Sequence, residues 1–122
     1  MKFEGNHELP SLEFDEDAAY LKIWGASTAL EPKDFWDPLF AKMVEYIESP
    51  RDIHLEFALN YFNTPTARKI LELLKLIDQR VGETKRNFLV TWHDDGDEDM
   101  REAGEDYESM VNKNTTWRFD DN

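Results

Sequence analysis

Short segments in which apolar residues alternate with polar ones predict the β-strands of this chain. Residues 11–15 and 20–24 carry such patterns on either side of an acidic turn at 15–17, and together they predict a β-hairpin. Over residues 53–61 the alternation is strict, which favours a sheet with one face only partly covered. The predicted strands occupy residues 11–15, 20–24, 53–61, 88–92 and 117–119.

Apolar residues spaced three and four apart predict amphipathic helices between these strands. The first covers residues 35–47, begins after Pro32 and stops before Pro50. Its apolar stripe includes Val44, which we therefore expect to face the core.

Two further helices follow the long strand. The helix predicted over residues 65–81 has the strongest apolar periodicity, and Gly82 is well placed as its C-terminal cap. The last helix begins at Asp99, which is the predicted N-cap because Glu102 follows it three residues later. Met110 is among the residues of this helix that are predicted to point inward.

The order of elements is β-β-α-β-α-β-α-β, which predicts a single α/β domain with about five strands and three helices. Strands that alternate with helices pair in parallel through right-handed crossovers, and the opening hairpin adds an antiparallel edge. The predicted sheet is therefore mixed. Residues 1–10 are predicted to be a flexible lead-in, and residues 11–122 to form the domain.

The chain is strongly acidic, since 27 Asp and Glu against 14 Lys and Arg give its 122 residues a formal net charge of −13. A nucleic-acid backbone or an anionic lipid surface would repel such a chain, so neither partner is expected. The absence of cysteine excludes disulfides, thiolate metal sites and cysteine nucleophiles. There is no apolar run of roughly 18 residues and no signal-peptide core, and we expect a soluble, cytoplasmic protein.

The run of acids at residues 94–99 is the candidate metal site. Three of its aspartates match the acidic positions that open a calcium loop, but Met100 stands where that loop needs glycine and Asp106 where it needs glutamate. Acids also gather at a helix N-terminus because the helix dipole favours them there. A metal-dependent hydrolase that uses this run is one alternative function. No nucleophile, base and oxyanion site assemble in the sequence, and we expect no catalytic residue, metal or cofactor.

The junction of the long predicted strand with the second helix carries a hydroxyl group and two cations. Thr64 followed by Pro65 is typical of an N-cap and a first helical residue, and capping alone explains both. Alternatively, Thr64 is a phosphorylation site, because a phosphate there would meet free helix N–H groups, Arg68 and Lys69. The residue pattern by itself leaves both interpretations open.

Three segments resemble the SiaC family of regulatory phosphoproteins, and together they span residues 12–119 in the family's order. Residues 62–68 are similar to its Asn-Thr-Ser-Ser-x-Lys segment, and residues 25–27 with 35–39 form a weaker match. The most specific match is residues 92–108, which resemble the family's acidic block DEDM-x-E-x-G-x-D. The residues of this block are here Asp97, Glu98, Asp99, Met100, Glu102, Gly104 and Asp106.

The resemblance implies a domain similar to the STAS-type anti-sigma-factor antagonists and a non-catalytic switch protein. It also implies a dedicated kinase, a PP2C-type phosphatase, and an effector, a diguanylate cyclase, that the unphosphorylated form binds and activates. The family's phosphorylated threonine falls on Thr64. The implied contacts of the phosphate or the partner are Asn63, Thr66, Arg68 and Lys69.

Two departures from the family pattern concern recognition. Pro65 and Thr66 replace two serines beside the phosphorylated position, which could alter recognition by the kinase. Residues 28–31 replace the family's usual Tyr-Pro-Glu-Asn. A plain protein-interaction module without phosphoregulation has the same predicted fold and differs only at Thr64, so it is the third interpretation.

Overall fold

The computed structural model describes residues 1–31, 33–49 and 51–120. Pro32 and Pro50, which the sequence places at the two ends of the first helix, lie outside the described residues. In the described part of the chain, no helix is both long enough and apolar enough to cross a membrane. In chain order the elements are β1 (Lys2–Phe3), β2 (Ser11–Asp15), β3 (Tyr20–Ser27), α1 (Lys33–Tyr46), β4 (Ile53–Phe62), α2 (Thr64–Thr84), β5 (Phe88–His93), α3 (Glu98–Met110) and β6 (Thr115–Asp120).

The six strands lie in one sheet in the order in which they occur along the chain. β1, β2 and β3 pair antiparallel, whereas β3, β4, β5 and β6 are parallel to one another. The predicted mixed α/β sheet with three helices is confirmed, with one strand more than the five predicted. The additional strand, β1, lies within the predicted lead-in and has only two residues, too few to leave an alternating pattern.

All three helices cover the same face of the sheet. Parallel strands that follow one another in order, joined by crossovers of one hand, place every connection on one side. Buried and partly exposed residues alternate along β4, with Leu55 and Phe57 fully buried in the same core as Trp36 of α1 and Ile77 of α2. The prediction of a partly covered sheet face is therefore confirmed.

Side chains of opposite charge lie next to one another on the uncovered face of the sheet. Burial alone would raise the pKa of Glu56 in its centre, but hydrogen bonds donated by Tyr20 (2.5 Å) and His93 hold that pKa below its usual range. Pairs of opposite charge on neighbouring strands stabilise such a wet face. The register from β1 to β6 forms one row of cross-strand neighbours: Lys2, Glu13, Lys22, Glu56, Thr91 and Arg118.

Two residues predicted to face the core face solvent instead. The side chain of Val44 on α1 is 53% exposed, and that of Met110 at the end of α3 is 52% exposed. Three–four spacing identifies an apolar stripe but not how much of its width the sheet covers. Val44 follows the half-buried Phe40 by one turn, and Met110 follows the half-buried Ala103 by two turns, so both lie at the edge of their stripe.

The prediction that Gly82 caps α2 is wrong. The helix continues to Thr84 and ends at Lys85, which adopts the left-handed conformation with φ 54°. Gly82 instead permits close packing, because a Cβ atom there would lie 2.3 Å from Nδ2 of Asn114. That amide is fixed in place: Nδ2 of Asn114 donates to the carbonyl of Asp78 (3.1 Å), and its backbone N–H donates to Oδ1 of Asp78 (2.9 Å).

Gly82→Ala is expected to lower the free energy of unfolding by about 1 kcal/mol, although alanine is otherwise the better helix former by a similar amount. Urea denaturation measures this change. In an Asn114→Ala background the obstruction is removed, so the same substitution should be neutral or stabilising there. A gain in stability in the otherwise unchanged chain would contradict the close packing.

Candidate functional site

The junction between β4 and α2 is organised by Asn63, not by Thr64. Asn63 has an extended backbone with ψ 178°, and its Oδ1 accepts a hydrogen bond from the backbone N–H of Thr66 (3.2 Å). Its Nδ2 donates to the carbonyl of Ala29 in the loop after β3 (3.0 Å). The predicted N-cap, Thr64, is instead the first residue of the helix, because Asn63 satisfies the N–H group that a cap must satisfy.

Thr64 therefore keeps a free side chain. It is exposed, and its hydroxyl makes no hydrogen bond to any residue that the structure describes. Fewer helix N–H groups face it than the sequence suggested, since Pro65 has none and the N–H of Thr66 is taken by Asn63. The Thr64 hydroxyl is chemically available, and its recognition depends on side chains more than on the helix end.

Thr66 is not a contact residue, contrary to the role that the resemblance implied. Its side chain is fully buried, and its hydroxyl lies 2.6 Å from that of Ser27 at the end of β3. Residues two apart on a helix point to nearly opposite sides, so the same turn that exposes Thr64 turns Thr66 into the core. Neither a phosphate on Thr64 nor a partner can reach the Thr66 hydroxyl.

The two cations of the first turns differ in their availability. Arg68 is exposed, lies one turn after Thr64 on the same side of α2, and has no ion-pair partner among the described residues. Lys69 is half-buried, pairs with Glu72 (3.6 Å), and lies 5.7 Å from the ring centre of Phe40. Arg68 is thus the cation that a group on Thr64 meets first.

Thr64 and Arg68 also line a groove between α2 and α3, which the sequence did not predict. The two helices are tied together there by the hydroxyl of Tyr107, which donates to the carbonyl of Ala67 (2.8 Å). Burial raises the pKa of Tyr107, so its phenol keeps this proton. The groove encloses about 330 Å³ and is lined by Phe62, Thr64, Ala67, Arg68, Leu71, Ala103, Asp106, Tyr107 and Met110.

The acidic block forms the end of β5 and the start of α3, where its side chains have structural roles. The N-cap of α3 is Asp97 and not the predicted Asp99: Oδ1 of Asp97 accepts from the N–H groups of Asp99 (2.8 Å) and Met100 (3.2 Å). Asp94 is buried and accepts from the N–H of Gly96 (2.9 Å). Glu98 and Asp99 occupy the first turn, where the helix dipole favours acids.

The other residues of the block divide between the core and the surface. Met100 is buried, and Gly104 packs against the indole of Trp92. Glu102 is exposed, and Asp106 lines the groove. Within residues 1–31, 33–49 and 51–120, no three His, Asp or Glu side chains are grouped so that they could hold a metal ion. Helix capping, the helix dipole and local hydrogen bonds account for Asp94, Asp97, Glu98 and Asp99, whereas Asp95 is an exposed turn residue with φ 52°.

These features define a class of protein: a single α/β domain that presents a threonine with a free hydroxyl at a strand-to-helix junction. The family model described as "SiaC family regulatory phosphoprotein" matches residues 3–117. The chain therefore belongs to the SiaC family of regulatory phosphoproteins, as its sequence resemblance predicted. No curated protein matches the sequence.

Solved structures of SiaC from Pseudomonas aeruginosa have the same fold. Apo-SiaC superimposes with a TM-score of 0.86 at 17% sequence identity, over 97% of each chain. A chain from the crystal structure of diguanylate cyclase SiaD in complex with its activator SiaC superimposes with a TM-score of 0.88, also at 17% identity, over 98% of this chain and 99% of that one. At this level of identity the likeness establishes the fold.

Proposed function

We propose that this SiaC-family protein is a non-catalytic switch that is phosphorylated on Thr64 and binds its effector when Thr64 is unmodified. The proposed effector is a diguanylate cyclase, because the structurally similar SiaC is the activator of the diguanylate cyclase SiaD. A dedicated kinase adds the phosphate and a PP2C-type phosphatase removes it.

The observation that carries the proposal is the free hydroxyl of Thr64, which lies one helical turn from Arg68 on the lining of an apolar groove. The hydroxyl is exposed and bonded to no described residue, so a kinase reaches it without unfolding the helix start. A phosphate there adds roughly −1.5 to −2 charges beside Arg68 and at the mouth of the groove. Such a change is large enough to make or break contact with a partner.

The remaining residues of the site support Thr64 rather than react. Asn63 fixes the start of α2 and ties it to the loop after β3, which sets the direction of the Thr64 side chain. Lys69 adds less positive potential than Arg68, because its ammonium is already paired with Glu72. The acidic block builds α3, the second wall of the groove.

Phosphorylation of the purified chain by its cognate kinase tests the proposal. We expect one phosphate by intact-mass analysis, with peptide mapping to Thr64, and no phosphate on Thr64→Ala. Thr28→Ala is the matched control, since Thr28 is also an exposed threonine at this end of the sheet and should leave the modification unchanged. Phosphate on another residue, or on none, would refute Thr64 as the switch.

Binding of the cognate diguanylate cyclase is measured on the same samples. The unmodified chain and Thr64→Ala should bind, and the phosphorylated chain should bind at least about tenfold more weakly. Equal binding by both forms would identify a plain interaction module without phosphoregulation. Addition of Thr64→Ala to the cyclase should activate it regardless of the kinase.

A further inference from the structure

The groove between α2 and α3 has an apolar interior and one charged side chain on each rim. Arg68 stands on the α2 side and Asp106 on the α3 side, and neither forms an ion pair with any residue that the structure describes. The groove keeps these two opposite charges apart, although both lie at its edge. Resting on the function proposed above, we propose that the effector docks in this groove with an amphipathic segment. Its apolar side chain enters the groove, a carboxylate pairs with Arg68 and a basic side chain pairs with Asp106.

The groove needs no rearrangement to receive a side chain. Its floor is formed by Phe62 and Tyr107, whose rings are stacked at 6.4 Å between centroids, and Trp92 packs behind both. The hydrogen bond from Tyr107 to the carbonyl of Ala67 fixes the distance between the two helices. A preformed apolar site loses little conformational freedom on binding, which favours affinity.

Met110 is a large apolar residue that lines the groove and is exposed to solvent. It is 52% exposed at the end of α3, on the same edge of the helix as Ala103. Methionine adapts its shape to irregular partners, so it suits a docking surface.

The position of Thr64 explains the direction of the switch. Thr64 lines the same groove and precedes Arg68 by one helical turn. A phosphate on Thr64 pairs with Arg68 within the chain and so removes the cation from the effector's carboxylate. It also places a strongly hydrated anion at the mouth of an apolar site, where its desolvation opposes docking.

Titration of the purified cognate diguanylate cyclase into the unmodified chain, followed by calorimetry, tests the docking site. Met110→Glu should weaken binding by about 30-fold, because it places a charge on the apolar lining of the groove. Val44→Glu is the matched control: Val44 is equally exposed, at 53%, but lies on α1 and does not line the groove, so this variant should bind as the unmodified chain does. Both side chains are half exposed, so urea denaturation should show that both variants fold.

The charge of Arg68 on the rim is tested in the same way. Arg68→Glu should weaken binding by about tenfold, while Arg68→Lys should keep most of the affinity. A second readout needs no cyclase: phosphorus NMR of the chain phosphorylated on Thr64 should show a higher second pKa for the phosphate in Arg68→Gln than in the unchanged chain.

The outcomes separate this inference from the proposed function. If the cyclase binds the unmodified chain and Met110→Glu equally well, docking occurs elsewhere and the groove is refuted, while the switch stands. If the cyclase does not bind the unmodified chain at all, the proposed function fails and the inference fails with it. If the second pKa of the phosphate is the same in Arg68→Gln as in the unchanged chain, the pairing of the phosphate with Arg68 is refuted.

Discussion

Gly104→Ala is expected to lower the free energy of unfolding by about 2–3 kcal/mol, as measured by urea denaturation. A Cβ atom at this position would lie 2.5 Å from Cδ1 of Trp92 and 2.8 Å from Cε1 of Phe119. The indole cannot move aside easily, because it is fully buried and its Nε1 donates to the carbonyl of Met100 (2.9 Å). The helix preference for alanine, about 1 kcal/mol, is too small to offset this overlap.

A double-mutant cycle tests whether the overlap with Trp92 causes this loss of stability. Trp92→Leu replaces the flat indole, whose Cδ1 and Nε1 lie nearest to Gly104, by a smaller side chain without a ring. Its combination with Gly104→Ala should therefore be less destabilising than the sum of the two single changes. Additive losses would show that the overlap with Trp92 is not the cause. A stable Gly104→Ala protein would mean that α3 can move away from the sheet. The glycine of the acidic block is thus explained by packing of α3 on β5.

The periodicity of apolar residues predicted all three helices and five of the six strands, because the spacing of apolar residues along a helix or strand is a local property of the sequence. The ends of the elements were less predictable. Asn63 and Thr64 are both good N-caps by residue type, and the rule that proline occupies the first helical position favoured Thr64. The contact that favours Asn63, its bond to the carbonyl of Ala29, joins residues 34 positions apart. The cap at Gly82 was misassigned for a similar reason, since the obstruction by Asn114 is not visible in the local sequence.

The candidate site was predictable in part. Thr64 and Arg68 are separated by one helical turn, so the sequence itself shows that they share a side of α2. The groove requires α2 and α3 to lie next to each other, and that follows only from the order of the strands. An indirect signal was present in the third helix, where Ala103 and Met110 lie on the edge of the apolar stripe. Periodicity alone assigned Met110 to the core, whereas the structure exposes it at the groove; Ala103 both packs against the core and lines the groove.

Asn63→Ala and Thr64→Ala are expected to differ in stability, although the residues are neighbours. Asn63→Ala should lower the free energy of unfolding by about 1–2 kcal/mol, because it removes the cap of α2 and leaves the carbonyl of Ala29 without its donor. Thr64→Ala should change stability by less than about 0.5 kcal/mol, since its exposed hydroxyl bonds to no described residue. Chemical denaturation of both variants beside the unchanged chain measures the difference.

The measured stability of Thr64→Ala decides how its effects on binding and phosphorylation are interpreted. If Thr64→Ala unfolds as the unchanged chain does, any change in effector binding or phosphorylation reflects the lost hydroxyl and not a damaged helix. Asn63→Asp is the control, because its carboxylate can cap the helix but cannot donate to the carbonyl of Ala29; it should lie between Asn63→Ala and the unchanged chain. A loss of 1 kcal/mol or more in Thr64→Ala would instead assign the cap to Thr64. The hydroxyl would then stabilise the helix, and phosphorylation would act partly by weakening the start of α2.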